Sequence, residues 1–98
     1  MDFEHITITN NEAENQYEVK LDDKVAVLTY HRRGNQITFL HTGVPTELEG
    51  HGIASQLAKH GLDEAQQQHL RVIPACPYVA QYIRRHKEYL PLVTHSQE

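Results

Sequence analysis

Two hydrophobic periods divide the chain. In the first half apolar and polar residues alternate in short runs. Ile6-Thr7-Ile8-Thr9 alternates and meets the turn signal Asn10-Asn11, and Gln16-Tyr17-Glu18-Val19-Lys20 alternates again and ends at Asp22-Asp23. Val25 to Tyr30 is a β-rich run closed by Arg33-Gly34-Asn35, and Gln36 to Thr42 follows it. Short alternating runs separated by two- to five-residue turns predict four strands in an antiparallel meander. After Val44-Pro45 the period becomes helical. Ile53, Ala54, Leu57, Ala58, Leu62 and Ala65 fall on one stripe, which predicts a helix reaching about Gln68. Leu70 to Ile73 reads as a short buried strand stopped by Pro74.

A second helix is predicted from Pro77, a residue suited to a first helical turn. Its stripe is Val79, Ala80 and Ile83, with Arg84, Arg85 and Lys87 at its C-terminal end, where cations suit the helix dipole. His69 stands where a helix-ending Gly is usual, at a small backbone cost. The order is four strands, helix, strand, helix. Strand four, the first helix and strand five form a β-α-β unit, whose right-handed crossover makes strand five parallel to strand four. The expected fold is therefore α/β (α+β), a mixed, mostly antiparallel sheet with a β-α-β unit and two main helices. One domain is expected over 1–98, with a frayed tail from about Thr94.

The segment Glu49-Gly50-His51-Gly52-Ile53-Ala54 joins the fourth strand to the first helix. Two glycines allow a sharp turn and close approach to a ligand. The first N–H groups of a helix lack internal partners, and the dipole adds positive potential, so such a start suits phosphate. A tight turn with no ligand fits the same residues. No Gly-x-x-x-x-Gly-Lys-Ser/Thr is present, which excludes a P-loop, and the third glycine of a dinucleotide fingerprint is missing.

Composition narrows the classes. Of the 98 residues 39% are hydrophobic and 22% charged, an ordinary globular balance. No apolar run approaches the roughly 18 residues of a membrane helix. Met1-Asp2-Phe3-Glu4 lacks a signal peptide's basic start, and the lone Cys76 cannot pair within the chain; both favour a cytoplasmic location. A formal charge of −4 argues against nucleic acid as main partner and favours a cationic substrate such as an amine. Eight histidines lack His-x-His and His-Glu-x-x-His spacings, so no metal is expected.

The Gly50-His51-Gly52-Ile53-Ala54 loop resembles motif A of the GNAT superfamily of N-acetyltransferases, Arg/Gln-x-x-Gly-x-Gly/Ala, with Gly52 and Ala54 at its last two fixed positions. The stretch from about Tyr17 to Val93 is similar to a compact, roughly one-hundred-residue GNAT-like subgroup. The resemblance is also carried by His41-Thr42-Gly43-Val44-Pro45, by Pro74-Ala75-Cys76-Pro77-Tyr78-Val79 and by Ile83-Arg84-Arg85-His86-Lys87-Glu88-Tyr89. Glu49 departs from the pattern. A carboxylate where the motif has Arg or Gln opposes a pyrophosphate and leaves binding to backbone amides.

The resemblance implies acetyl-coenzyme A as co-substrate, a V-shaped opening between strands four and five, and transfer of the acetyl group to an amine. It implies contacts of the pantetheine with His41, Thr42, Gly43 and Val44, and of the pyrophosphate with Glu49, Gly50, His51, Gly52, Ile53 and Ala54. Three residues are candidates for chemistry. His41 suits a general base, and equally a strand-end histidine bonded to backbone. Cys76 precedes the second helix, where a thiol can gain nucleophilicity. It is a candidate acetyl acceptor, a lining residue or a small buried hydrophobe. Tyr82 lies one residue from Ile83, where the family's helix tyrosine falls. Arg84, Arg85 and Lys87 fit a solvated face or a contact with the ribose phosphate. The alternative function is a coenzyme A-binding or protein-interaction module with little catalysis.

Overall fold

The computed structural model describes Phe3 and residues 5–94. Its strands are β1 (Ile8–Asn11), β2 (Gln16–Leu21), β3 (Lys24–Arg33), β4 (Gln36–Gly43) and β5 (Arg71–Pro74); its helices are α1 (Ile53–Gln67) and α2 (Pro77–Arg85). Short 3-10 turns occupy Thr46–Leu48 and Lys87–Leu92. The five strands pair in chain order, β1 to β4 antiparallel and β5 parallel to β4. The mixed sheet and the β-α-β unit are those the two periods predict.

Boundaries differ where side chains override local signals. The Asn10-Asn11 pair is not the first turn. Both residues belong to β1, opposite Tyr17 and Gln16, and the turn lies at 12–15 with Asn15 at a φ of 56°. Asn10 accepts a hydrogen bond from the Tyr30 hydroxyl at 2.6 Å, and Asn11 donates to Glu18 at 2.9 Å, so both amides are used in the sheet. Lys87 is outside α2, because His86 leaves the helix at φ −126° while its ring meets the Tyr82 carbonyl at 2.9 Å. His69, just past the Gln68 C-cap of α1, takes the left-handed conformation at φ 58°, a common way to end a helix. Thr94 donates its N–H to the Val72 carbonyl at 2.9 Å; the rest of the expected tail lies outside the described residues.

The core lies between one sheet face and both helices. Tyr17, Val19, Leu28, Ile37, Phe39 and Val72 point inward from the strands and meet Ile53, Leu57 and Leu62 of α1 and Val79 and Ile83 of α2. Each such aliphatic side chain contributes about 1.5–3 kcal/mol by leaving water. Gly61 belongs to the buried stripe of α1: a Cβ there would stand 2.9 Å from the Phe39 ring, so the helix crosses the sheet at glycine distance. Ala54 is only half-buried, because it turns toward an open cleft instead of the core.

Candidate functional site

The site begins where the sheet separates. β4 and β5 pair only from Gln36 to Phe39 against Arg71 to Pro74. One more rung follows, from the Cys76 N–H to the Phe39 carbonyl at 2.7 Å. Beyond it β4 continues beside β3, and its other edge from Leu40 to Gly43 has no partner strand among the described residues. The parallel pairing ends because Pro74 supplies no N–H and the chain then turns into α2.

A bulge re-aims the same stretch. Tyr30 opposes Phe39 and Thr29 opposes His41, so Leu40 is an extra residue in β4. Without it His41 would follow Ile37 and Phe39 inward. With it Thr42, opposite the buried Leu28, turns inward, and His41 and Gly43 turn outward. The His41 Nε2 lies 3.2 Å from where a Gly43 Cβ would stand, so the ring rests against the glycine.

The loop to α1 supplies the opposite wall. Gly50 and Gly52 have φ of 85° and 77°, and a Cβ at either would project into open space. Gly52 caps α1 in the left-handed conformation, and no side chain caps the helix start. The N–H groups of the first turn are thus left for an external acceptor. Between this loop and β4 lies a cleft of about 520 Å³.

Thr42, Gly43, Val44, Glu49, Gly50, Gly52, Ile53 and Ala54 all line it. The other two expected contacts do not. His41 points to the far side of the sheet, and the His51 ring stacks on Phe3 with centroids 3.7 Å apart. Leu48, Ser55 and Tyr78 also line the cleft and were not foreseen. Leu48 arrives on the 3-10 turn after Pro45. Tyr78 is the second residue of α2, a position that Pro77 at the helix start could have indicated.

The three candidates for chemistry occupy different layers. Cys76 is 2% exposed and lies behind the cleft, its Sγ 3.3 Å from the Thr42 hydroxyl. Tyr82 stacks on His86 with centroids 3.9 Å apart and belongs to a smaller hollow of about 180 Å³ that shares Ser55 and Tyr78 with the cleft. Burial pushes its hydroxyl above the usual tyrosine value. His41 is exposed on the outer face, on the opposite side of β4 from Cys76. Arg85 lines the hollow with His86, whereas Arg84 and Lys87 are exposed and line neither space. Among the described residues no group of three or more His, Cys, Asp or Glu is placed to hold a metal ion. Among the described residues no helix is long and apolar enough to cross a membrane.

A splayed β4–β5 pair facing a glycine-started helix is a fold signature that can be compared. The model of the GCN5-related N-acetyl-transferase family matches residues 16–92. The chain belongs to this family. Protein NATD1 of Mus musculus is 35% identical over 83 residues, covering 81% of this chain and 74% of its own. Protein NATD1 of Homo sapiens is also 35% identical over 83 residues, with 81% of this chain and 73% of its own covered. A GCN5-like protein of Staphylococcus aureus, solved by NMR as a candidate N-acetyltransferase, superposes with a TM-score of 0.69 at 26% identity. That match covers 96% of this chain and 91% of the other. This family member therefore carries the mixed five-stranded GNAT fold.

Proposed function

We propose that the chain is an N-acetyltransferase that takes an acetyl group from acetyl-coenzyme A and delivers it to an amine, as a single domain acting in the cytoplasm. The observation that carries this reading is the cleft between the unpaired edge of β4 and the uncapped start of α1. Its chemistry fits the cofactor. Glycine backbone and free N–H groups suit a pyrophosphate. Val44, Ala54 and Tyr78 offer apolar contact to a pantetheine arm, with Leu48 and Ile53 buried beneath them, and the β4 edge offers its amides. Acetyl-coenzyme A supplies an activated thioester.

His41 stands on the side of β4 left open by the helices, where an acceptor can arrive, and takes the amine proton as general base. The free edge of β4 between Leu40 and Gly43 offers N–H groups to the developing oxyanion. Direct transfer fits better than an acetylated Cys76, because that thiol is buried behind Thr42. Tyr82 is set back from the cleft, in the hollow that shares Ser55 and Tyr78 with it. Glu49 lines the cleft and favours the second reading, a coenzyme A-binding module with little catalysis.

The test is release of free coenzyme A from acetyl-coenzyme A in the presence of amine acceptors. Wild type turns over, and His41→Ala loses 10²-fold or more, about the contribution of a general base. Glu49→Gln lowers Kd for acetyl-coenzyme A roughly 5-fold, the effect of removing one exposed like charge at about 4 Å. Binding without turnover across all acceptors selects the second reading.

A further inference from the structure

The chain's charge is not spread evenly. The net charge is −4, yet the sheet face turned away from the helices has the opposite character. Alternation from the buried Leu28 and Phe39 turns His31, Arg33 and His41 outward, and the β4–β5 register puts Arg71 on the same face, level with Gln36. Arg33, Gln36 and Arg71 form one row across three strands. The two arginines therefore start about 10 Å apart. Neither has a carboxylate partner among the described residues.

The one outward carboxylate on the strands is already engaged. Glu18 has a side chain 8% exposed, accepts from Gln16 at 2.6 Å and from Asn11 at 2.9 Å, and pairs with Lys20 at 3.8 Å. Glu12 and Glu14 stand on the β1–β2 turn, outside the β3–β4–β5 strip, and Glu12 lines a hollow on the inward side with Tyr30 and Arg32. Leu40, 47% exposed, projects from the bulge between the arginine row and His41. His41 lies five residues along β4 from Gln36, roughly 17 Å in an extended strand.

We infer that the outer face of the sheet docks an acidic, extended segment of the protein that carries the acceptor amine, with carboxylates against Arg33 and Arg71 and the amine at His41. This rests on the acetyl-transfer reading and names its substrate class. An open sheet face holds a ligand by contacts spread along it, which an extended chain supplies. Two unpaired guanidiniums select carboxylates and repel basic flanks. Single-stranded nucleic acid is disfavoured because β2 to β5 turn no Phe, Tyr or Trp outward for bases to stack on.

The experiment is fluorescence anisotropy at low salt with a fluorescein-labelled peptide holding one lysine and two glutamates five and six residues away. A peptide with the glutamates next to the lysine, a peptide with arginines in their place and an oligo(U) strand complete the set. The spaced acidic peptide binds wild type at least 10-fold tighter than the arginine peptide and more tightly than the adjacent one. The double variant Arg33→Glu, Arg71→Glu loses that binding 10-fold or more, and Arg33→Gln, Arg71→Gln loses several-fold if reversal impairs folding. Equal binding of acidic and basic peptides, tighter binding of oligo(U), or an unaffected glutamine variant overturns the inference. Coenzyme A is measured in parallel by thermal shift. If it stabilises both wild type and variants while the peptides do not discriminate, only the docking inference fails. If it leaves wild type unchanged, the acetyl-transfer reading fails with it.

Discussion

Gly43→Ala separates catalysis from stability at one atom. Gly43 has no positive φ, so its backbone accepts a side chain without strain. The new Cβ would sit 3.2 Å from the His41 Nε2 and 3.6 Å from a Val27 methyl. The second contact is ordinary, but the first requires the ring to give by a few tenths of an ångström. His41 is exposed, so the ring has solvent to move into. Replacing Gly here restricts the unfolded chain, a gain of about 0.4–1 kcal/mol. Displacing the ring costs a similar amount, so net stability stays within about 0.5 kcal/mol. Catalysis is less forgiving. A misplacement of about 1 Å costs roughly 10²-fold, so a third of that costs about 5-fold in kcat. A ring that flips to another rotamer loses the whole general-base contribution. The assay is steady-state thiol release, with Tm measured on the same sample. The prediction is a 5-fold or larger fall in kcat, with Tm and the KM for acetyl-coenzyme A nearly unchanged. Full activity in a folded Gly43→Ala protein would refute the role given to His41.

Three other outcomes follow from the same geometry. Gly61→Ala gains about 1 kcal/mol of helix propensity but drives a Cβ into the fully buried Phe39 ring at 2.9 Å, and overpacking of about 1–3 kcal/mol outweighs the gain; Tm falls by about 4–8 °C in a thermal melt, and a rise would show that α1 has room to shift. Cys76→Ala keeps turnover within a few-fold and lowers stability by about 1 kcal/mol for the lost buried sulfur, whereas abolished turnover in a folded variant would restore the acetyl-cysteine route. Hydrogen bonds from Gln16 and Asn11 hold the Glu18 carboxyl below its ordinary value of 4.5, helped by Lys20. A lowered folded pKa means that its stabilisation is whole above 4.5 and is lost as pH falls through the lowered value. The stability difference between wild type and Glu18→Gln in urea melts therefore shrinks at acid pH, and a pH-independent difference would contradict that origin.

Much of this architecture is legible in the amino acids because local and long-range preferences agree. The alternation of β2 to β4, the stripe from Ile53 to Ala65 and the glycine-started helix each read the same way at both levels. Glu49, Gly50, Gly52, Ile53 and Ala54, the loop residues that the family resemblance singles out, line the cleft, whereas His51 turns to Phe3. What was illegible depends on partners distant in sequence. Asn10 and Asn11 look like a turn until Tyr30 and Glu18 claim their side chains. The bulge at Leu40 has no sequence mark, yet it sends His41 and Thr42 to opposite faces. The buried position of Cys76 behind Thr42, and the arrival of Tyr78 in the cleft, depend on how α2 settles against β4. The net charge of −4 hides the cationic outer face, because an average has no direction.

The most direct measurement is an amide NMR titration of the ¹⁵N-labelled protein with acetyl-coenzyme A. The account predicts saturable shifts concentrated at the N–H groups of Gly50, Gly52, Ile53, Ala54 and Ser55 and along Thr42 to Val44. Shifts confined to other regions, or none at millimolar ligand, would contradict it.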